Sequence, residues 1–259
     1  MKTFSASIYD HPKYYDTLYF ANSALEVNFL VACFERYASG SVRRLFEPAC
    51  GTGRLLWRVA KLGYDIHGID LNPQAVAYCN KRLRSHGFPE TAIVADMTTY
   101  RHKPLADAAF NTISSFCHLT TDEQAASHLN SVADSLKKSG LYILAFHLVP
   151  TCKPECDHDS WSAQRGSLRL FANLSTTNRN LKTRIDDIEF NVTVRTPNKQ
   201  FELHDSFPMR NYTLQNFTSL LETTNRFQIE ETFTFQFDIN EPTRLDEQSE
   251  DVVFVLRKK

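Results

Sequence analysis

Residues 45–54 have the sequence Leu45-Phe46-Glu47-Pro48-Ala49-Cys50-Gly51-Thr52-Gly53-Arg54. The apolar segment 42–49 predicts a strand, and the two glycines after it predict a turn, because glycine adopts positive φ and lets a ligand approach the backbone closely. A helix is expected next and should end near Gly63. Its buried face is predicted to contain Leu55, Leu56, Val59 and Ala60. This strand–turn–helix unit predicts a ligand-binding turn at the carboxyl end of a parallel strand.

The alternation of strands and helices continues to residue 150. Further strands are predicted at residues 64–69, 91–95, 108–113 and 141–149. Asn72 and Pro73 are typical of a helix start, and so is Thr120 with Glu123 or Thr121 with Gln124. The helix after Asn72 should bury Val76, Cys79 and Leu83, and the helix before Gly140 should bury Leu129, Val132, Ala133 and Leu136. The pattern predicts a doubly wound α/β fold with a mainly parallel, Rossmann-like sheet.

The flanking segments complete a single domain over residues 1–259. Residues 1–40 are expected to form an N-terminal lid and a helix whose buried face contains Leu25, Phe29, Ala32 and Cys33. Residues 41–150 form the ligand-binding core. Strict alternation of apolar and polar residues over 188–195 predicts an antiparallel β insertion at 151–210, either a substrate lid or a subunit contact. Residues 211–259 should add a helix capped by Thr213 and a β-hairpin, which brings the sheet to seven strands.

Composition and charge exclude several classes of function. The net charge is −1, with 42% hydrophobic and 23% charged residues, so the basic excess of a nucleic-acid-binding domain is absent. Residues 1–10 lack the apolar segment of a signal peptide, and no run reaches the ~18 apolar residues of a membrane span. Six scattered cysteines predict reduced thiols,. We therefore expect a cytoplasmic protein, monomeric or homodimeric, with no membrane or nucleic-acid partner.

The start of the insertion contains three residues that could bind a metal ion. Cys152, Cys156 and His158 lie close together in the sequence, and thiolates with an imidazole can bind zinc. No second pair of cysteine or histidine residues at zinc-finger spacing completes the four ligands of a structural zinc site. The sequence therefore predicts a polar loop with two free thiols and no metal.

The type of ligand follows from residues around the glycine turn. Asp70 is expected at the end of the second strand, where a carboxylate accepts hydrogen bonds from both ribose hydroxyls, although it could instead only start a helix. The dinucleotide fingerprint requires a third glycine where this chain has Leu56,. An acid at Glu47 suits a ligand that carries ammonium and sulfonium charges. These residues favour S-adenosylmethionine (SAM) over a ligand with a pyrophosphate.

Residues 45–54 resemble motif I of the class I SAM-dependent methyltransferases, closest to bacterial small-molecule methyltransferases. Residues 68–72 are similar to the ribose-binding segment of that family, residues 95–97 to its adenine-binding segment, and residues 136–141 to the start of its fifth strand. The resemblance extends well over residues 40–150 and loosely over 211–259. It implies SAM as the cofactor, the strand order 3-2-1-4-5-7-6 and an antiparallel last strand.

The resemblance also implies roles for individual residues. The implied cofactor-binding residues are Tyr15, Glu47, Ala49, Gly51, Gly53, Asp70, Leu71, Asp96, Met97 and Asn111. Tyr14 and Ser115 are implied substrate contacts, although Tyr14 and Tyr15 could instead pack a surface helix on the core. Arg210 and Tyr212 are further candidates, because they follow the insertion directly; an ordinary strand-to-helix junction is the alternative for both. His118, in the loop after the fourth strand, and His147, at the end of the fifth, are candidate bases because imidazole titrates near neutral pH. A purely structural role is the alternative for both histidines.

The sequence thus predicts an enzyme that transfers a methyl group from SAM to a small-molecule acceptor. The loop after the fourth strand lacks the Asn-Pro-Pro-Tyr sequence of amino-methylating enzymes that act on DNA bases or glutamine, which favours a small-molecule acceptor. The methylated atom is left open between nitrogen, oxygen and carbon. Methyl transfer is an in-line displacement in which positioning supplies much of the rate. Two alternatives stay open: a catalytically silent SAM-binding or assembly module, and an NAD-dependent oxidoreductase.

Overall fold

A computed structural model describes residues 2–151 and 157–259, which contain two β-sheets and six α-helices. The strands are β1 (Lys2–Ser5), β2 (Arg44–Pro48), β3 (Asp65–Asp70), β4 (Ala92–Val94), β5 (Ala106–Asn111), β6 (Leu136–His147), β7 (His158–Arg165), β8 (Leu168–Asn180), β9 (Ile185–Thr196), β10 (Lys199–Arg210), β11 (Phe227–Thr234) and β12 (Asp251–Lys258). The α-helices are α1 (Pro12–Tyr19), α2 (Ser23–Tyr37), α3 (Leu56–Lys61), α4 (Pro73–Ser85), α5 (Asp122–Ser135) and α6 (Leu214–Thr224).

The larger sheet has seven strands in the order β4-β3-β2-β5-β6-β12-β11. Strand β12 runs antiparallel to both of its neighbours, whereas β2 to β6 pair in parallel. Counted along the chain within this sheet, the order is 3-2-1-4-5-7-6, as expected. Residues 141–146 of β6 are fully buried, because helices cover both faces of a parallel sheet. The carboxyl ends of β2, β3 and β5 therefore meet at one edge.

The smaller sheet contains the antiparallel insertion. Strands β7 to β10 pair in sequence, and the N-terminal strand β1 adds to β10 in parallel. The alternation over 188–195 sets one buried face, at Ile188, Phe190, Val192 and Val194. The alternating segment 188–195 is part of the longer strand β9. The addition of Lys2–Ser5 was not predicted, because four exposed residues leave no pattern that identifies a distant partner.

Three predicted helix starts are confirmed by side-chain caps. The Asn72 Oδ1 atom accepts hydrogen bonds from the backbone N–H groups of residues 74 and 75. Thr121 with Gln124 and Thr213 with Asn216 form reciprocal capping boxes at α5 and α6. Each cap satisfies N–H groups that have no partner within the helix, so the local sequence determines where these helices begin.

Two helix predictions were wrong in detail. Leu25 in α2 is 46% exposed, whereas Glu26 is only 4% exposed. Glu26 therefore lies on the buried face of α2, where it pairs with the buried Arg54. Helix α5 ends at Ser135 rather than near Gly140, and Leu136 begins β6. Ser139, at φ +58°, lies in the left-handed region, and the pairing of β6 with β5 shifts register between Leu136 and Leu141.

Within the described residues, no single helix is long and apolar enough to cross a membrane. The bent pair α1 and α2 satisfies the criterion together, by length and composition only.

Buried imidazoles make the stability of the fold depend on pH. His102 is 5% exposed and stacks on His67 with ring centroids 4.5 Å apart. Burial lowers the pKa of His102 to about 4 and also lowers the pKa of His67. The unfolded chain protonates histidine near 6.5, so it binds more protons than the folded chain below that pH. The stabilisation is present near pH 7 and is lost as the pH falls from about 6.5 towards 4.

We therefore expect the melting temperature to fall between pH 7 and pH 5, and His102→Phe to reduce that fall by about 2–4 °C. Scanning fluorimetry over this pH range measures the effect. The exposed His158 provides the matched control as His158→Phe, which should leave the pH dependence unchanged. An equal pH dependence in wild type and His102→Phe would show that burial of this imidazole does not contribute.

Candidate functional site

The glycine turn after β2 packs closely against α4. Gly53 has φ +66°, and a Cβ atom at this position would lie 2.3 Å from the Cys79 Sγ atom. Gly51 has φ +52°, and a Cβ there would lie 4.0 Å from both Asp70 and Tyr15. Gly53 is thus required by packing against α4, and Gly51 by its positive φ in the wall of a cavity. Of the two predicted ligand-binding glycines, Gly51 lines that cavity and Gly53 supports it.

Asp70 is held rigidly at the end of β3. Its Oδ2 atom accepts a hydrogen bond from the Gly51 backbone N–H at 2.8 Å, and its Oδ1 atom accepts one from the Asn72 N–H at 2.8 Å. Burial raises the pKa of Asp70, and the two backbone donors oppose that shift. Each carboxylate oxygen can accept more than one hydrogen bond, so both remain available to a pair of ligand hydroxyls.

A cavity of about 520 Å³ opens in front of this carboxylate. It is bounded by the carboxyl ends of β2 to β5, the N-terminal segment and the buried face of the insertion. From the large sheet come Ala49, Gly51, Asp70, Leu71, Ala95, Met97, Ser114, Ser115, His118 and His147. Aromatic rings make up most of the opposite wall, namely Tyr9, Tyr15, Tyr19, Trp161, Phe190 and Phe207. The antiparallel insertion therefore forms a wall of the cavity.

A narrow cleft shares Tyr15, Ala49 and Gly51 with the cavity and contains two buried oxygen acceptors. The Oε2 atom of Glu47 and the Oδ1 atom of Asn111 have no hydrogen-bond partner among the described residues. The Asn111 side-chain N–H donates to the Pro48 carbonyl at 2.9 Å. Burial raises the pKa of Glu47 well above its usual value. Unpaired buried acceptors are costly, so this cleft fits a ligand that donates hydrogen bonds, such as an ammonium group.

Arg54 at the end of the glycine turn is neutralised within the protein. Its Nη1 and Nη2 atoms donate to the two carboxylate oxygens of Glu26 at 2.5 and 2.7 Å. The Thr112 hydroxyl also donates to Glu26 at 2.6 Å. The side chains of Arg54 and Glu26 are 6% and 4% exposed. This bidentate pair attaches the turn to α2 and to the end of β5, and it leaves the cleft without a free positive charge from Arg54.

Asp16 connects four elements around the cavity. Its carboxylate, which is fully buried, accepts hydrogen bonds from Thr52 at 3.0 Å, Arg82 at 2.5 Å and Arg165 at 2.6 Å. Burial alone would raise the pKa of Asp16, but the two arginines hold it below its usual value. These contacts join α1 to the glycine turn, to α4 and to β7. They hold α1 in place, and with it Tyr15, which lines the cleft.

His118 pairs with Tyr9 at the wall of the cavity. The Tyr9 hydroxyl lies 2.9 Å from His118 Nε2, and the Phe207 ring lies 5.4 Å from the imidazole. Burial lowers the pKa of His118 and raises that of Tyr9 well above its usual value. Both groups are therefore neutral near pH 7. Tyr9 was missed from the sequence; the only signal was the concentration of aromatic residues near the N-terminus.

The structure places His147 and Ser115 at the same cavity. His147 is exposed at the rim, where its Nδ1 atom lies 2.5 Å from Asp251. The Ser115 hydroxyl donates to the carbonyl of residue 113 at 3.3 Å. Leu71 and Met97, two of the predicted cofactor-binding residues, supply apolar surface to the same cavity.

Three of the predicted substrate contacts do not line the cavity. Tyr14 packs on the Phe201 ring of the insertion. Arg210 is buried and donates to the Thr120 carbonyl and to Asp122, so its charge is already paired. Tyr212 is fully buried in the core, where its ring packs against Phe116 and Phe146.

Two further predictions fall beside or outside the site. Asp96 lies next to the lining residues Ala95 and Met97, and its Oδ1 atom accepts hydrogen bonds from the Thr98 N–H and hydroxyl at 2.7 Å. Cys152 and Cys156 lie outside the described residues. His158 bonds to Ser175 at 2.7 Å, and residues 2–151 and 157–259 contain no cluster able to hold a metal ion.

Part of the chain resembles a known protein family. Residues 46–140 match the family model described as a methyltransferase domain. A protein of Geobacillus sp. (strain WCH70) named as a putative methyltransferase is 22% identical over 124 residues, which are 46% of this chain and 49% of that protein. The chain thus spans about half the length of this curated relative.

Solved structures share the methyltransferase fold over nearly the whole chain. A SAM-dependent methyltransferase from Clostridium acetobutylicum has a TM-score of 0.75 at 13% identity, covering 95% of this chain and 96% of its own. DesVI of Streptomyces venezuelae has a TM-score of 0.76 at 16% identity, covering 97% and 99%. A sugar N-methyltransferase from a Streptoalloteichus species has a TM-score of 0.69 at 15% identity, covering 97% and 93%. At these identities the likeness establishes the fold.

Proposed function

We propose that this protein transfers the methyl group of SAM to a small-molecule acceptor bound in the aromatic cavity. The observation that carries the proposal is the pair of unsatisfied buried oxygens of Glu47 and Asn111, which line a cleft that shares Gly51 with the cavity in front of the Asp70 carboxylate. The printed names of several structural neighbours describe enzymes that act on sugars or glycopeptides. The acceptor atom, a cytoplasmic location and a monomeric or homodimeric state remain predictions from the sequence.

Different residues of the site would contact different parts of SAM. Glu47 and Asn111 would accept hydrogen bonds from the ammonium group of the methionine part, and Asp70 from the ribose hydroxyls. Leu71 and Met97 would pack on the adenine ring, with Asp96 as the predicted partner of its amino group. Bound SAM supplies a methyl group already activated on a sulfonium sulfur. Leu56, which stands where a dinucleotide site needs glycine, is fully buried under the turn, and this disfavours NAD.

The Tyr9–His118 pair would remove the proton of the acceptor. We assign the Tyr9 hydroxyl as the donor to Nε2, since a neutral phenol has a single proton to give. The acceptor would give its proton to the Tyr9 oxygen, and the Tyr9 proton would pass to His118. Burial keeps the imidazole unprotonated before the reaction, so it is ready to receive this proton at neutral pH. The aromatic walls exclude water from the transfer.

The proposal is tested by following transfer of a radiolabelled methyl group from SAM to a panel of small amines, phenols and sugars. For an accepted substrate, we expect His118→Ala and Tyr9→Phe each to lower kcat about 10²-fold, with SAM affinity unchanged. Tyr9→Phe keeps the ring and removes only the hydroxyl.

The exposed His158 provides the control, since His158→Ala should keep full activity. Tight SAM binding without transfer to any member of the panel would instead support a silent SAM-binding module. Unchanged kcat in both the Tyr9 and His118 variants would show that this pair does not accept the proton of the acceptor.

A further inference from the structure

We propose that Asp159, Tyr19 and Trp161 form a cation-binding subsite, so that the acceptor carries a basic amine in addition to the group that is methylated. This inference rests on the proposed function, because it takes the aromatic cavity as the acceptor site. The three residues all line that cavity. We refer to them as the amine subsite.

Asp159 presents its carboxylate to the cavity without a partner of its own. It lies on β7 two residues before Trp161, so both side chains share one face of the strand. His158 and Ser160 face the other way and bond to Ser175 and Asn173. Among residues 2–151 and 157–259, no hydrogen bond or ion pair is made to the Asp159 carboxylate. A carboxylate in this position is available to a ligand.

Aromatic rings adjoin this carboxylate. The Tyr19 and Trp161 ring centroids lie 5.7 Å apart, and Trp161 stacks on Phe190 at 5.7 Å. Burial raises the pKa of Tyr19 well above its usual value, and the negative charge of Asp159 adds to that effect. A cation over aromatic faces and beside a carboxylate is attracted by both. The subsite therefore matches an ammonium group.

The charged residues that line the cavity also favour a positively charged acceptor. No lysine or arginine lines it in the part of the chain that the structure describes. Arg165, the nearest arginine on β7, is paired with Asp16. A carboxylate or phosphate on the acceptor would have no cation to receive it, whereas a positively charged acceptor meets Asp159.

The amine subsite lies far from His118. The His118 imidazole packs on Phe207 of β10, whereas Asp159 and Trp161 lie on β7. Strands β10, β9, β8 and β7 are consecutive neighbours, and adjacent strands lie about 4.8 Å apart, so three spacings separate the two ends by about 14 Å. An amine at Asp159 is thus a different group from the one whose proton passes to Tyr9 and His118.

The test uses three probes of one shape and different charge: 4-phenylbutylamine, 4-phenylbutanol and 4-phenylbutyrate. Each is titrated by calorimetry into the full chain saturated with S-adenosylhomocysteine. The wild type should bind the amine about ten-fold more tightly than the alcohol, and the carboxylate least of all. Asp159→Asn should remove the preference for the amine and leave the affinity for the alcohol unchanged. Asp187→Asn, on the same sheet but outside the cavity, should behave like the wild type.

Several results would overturn the proposal. These are an amine bound no more tightly than the alcohol by the wild type, and a preference that persists in Asp159→Asn. Methylation of 4-phenylbutylamine at its nitrogen would contradict the separation of the amine from the reacting group. SAM binding and methyl transfer are measured in parallel. If both are intact without an amine preference, only the subsite is wrong; if SAM fails to bind, the proposed function is wrong.

Discussion

Replacement of Glu26 by alanine is expected to lower the free energy of unfolding by about 3–5 kcal/mol. The variant leaves the Arg54 guanidinium buried without its counter-ion, in a position that is 6% exposed. The Thr112 hydroxyl, which donates to Glu26 at 2.6 Å, loses its acceptor as well. Urea denaturation, followed by circular dichroism, measures the change in the midpoint at an unchanged slope.

Glu35 on the same helix is the matched control, since it is exposed to solvent. Glu35→Ala should change the free energy of unfolding by no more than about 0.5 kcal/mol. The double variant Glu26→Leu with Arg54→Met should recover most of the loss, because breaking a buried pair costs more than replacing it with apolar side chains. Equal effects of Glu26→Ala and Glu35→Ala would contradict the assignment of this pair as the support of the glycine turn.

The second large effect is expected at Asp70. Asp70→Ala should weaken SAM binding ten-fold or more, because charge-assisted hydrogen bonds to the ribose are lost. The variant also leaves the Gly51 and Asn72 N–H groups, now bonded to this carboxylate at 2.8 Å, without their acceptor. Isothermal calorimetry with SAM measures the affinity directly.

Asp65, at the other end of the same strand, provides the control. It is exposed and bonded to Arg44, far from the cavity in the strand direction. Asp65→Ala should bind SAM as tightly as the wild type does. An unchanged affinity in Asp70→Ala would remove Asp70 from the cofactor site.

Local patterns in the sequence were enough to predict the parallel strands of the large sheet and the helices between them. Strand order followed from the resemblance, and Asp70 was placed correctly at the edge because it ends an apolar strand next to the glycine turn. The helix starts at Asn72, Thr121 and Thr213 were predicted because each cap acts within three residues of itself. These features depend on neighbours in sequence.

The parts that were missed depend on contacts between distant segments. Tyr9 reaches His118 across more than a hundred residues, and Asp16 meets Arg165 from the insertion. Arg210, an expected substrate contact, instead pairs with Asp122. A single sequence gives the spacing of such residues along the chain but not their separation in space, so pairings between segments are not predictable from it.

The central claim is that the cavity beside Glu47, Asn111 and Asp70 binds an adenosyl sulfonium rather than a dinucleotide. Calorimetric titration of the wild-type chain with SAM, and separately with NADH, tests it most directly. The account predicts saturable binding of one SAM per chain and no measurable binding of NADH. Saturable NADH binding, or no heat with SAM, would contradict it.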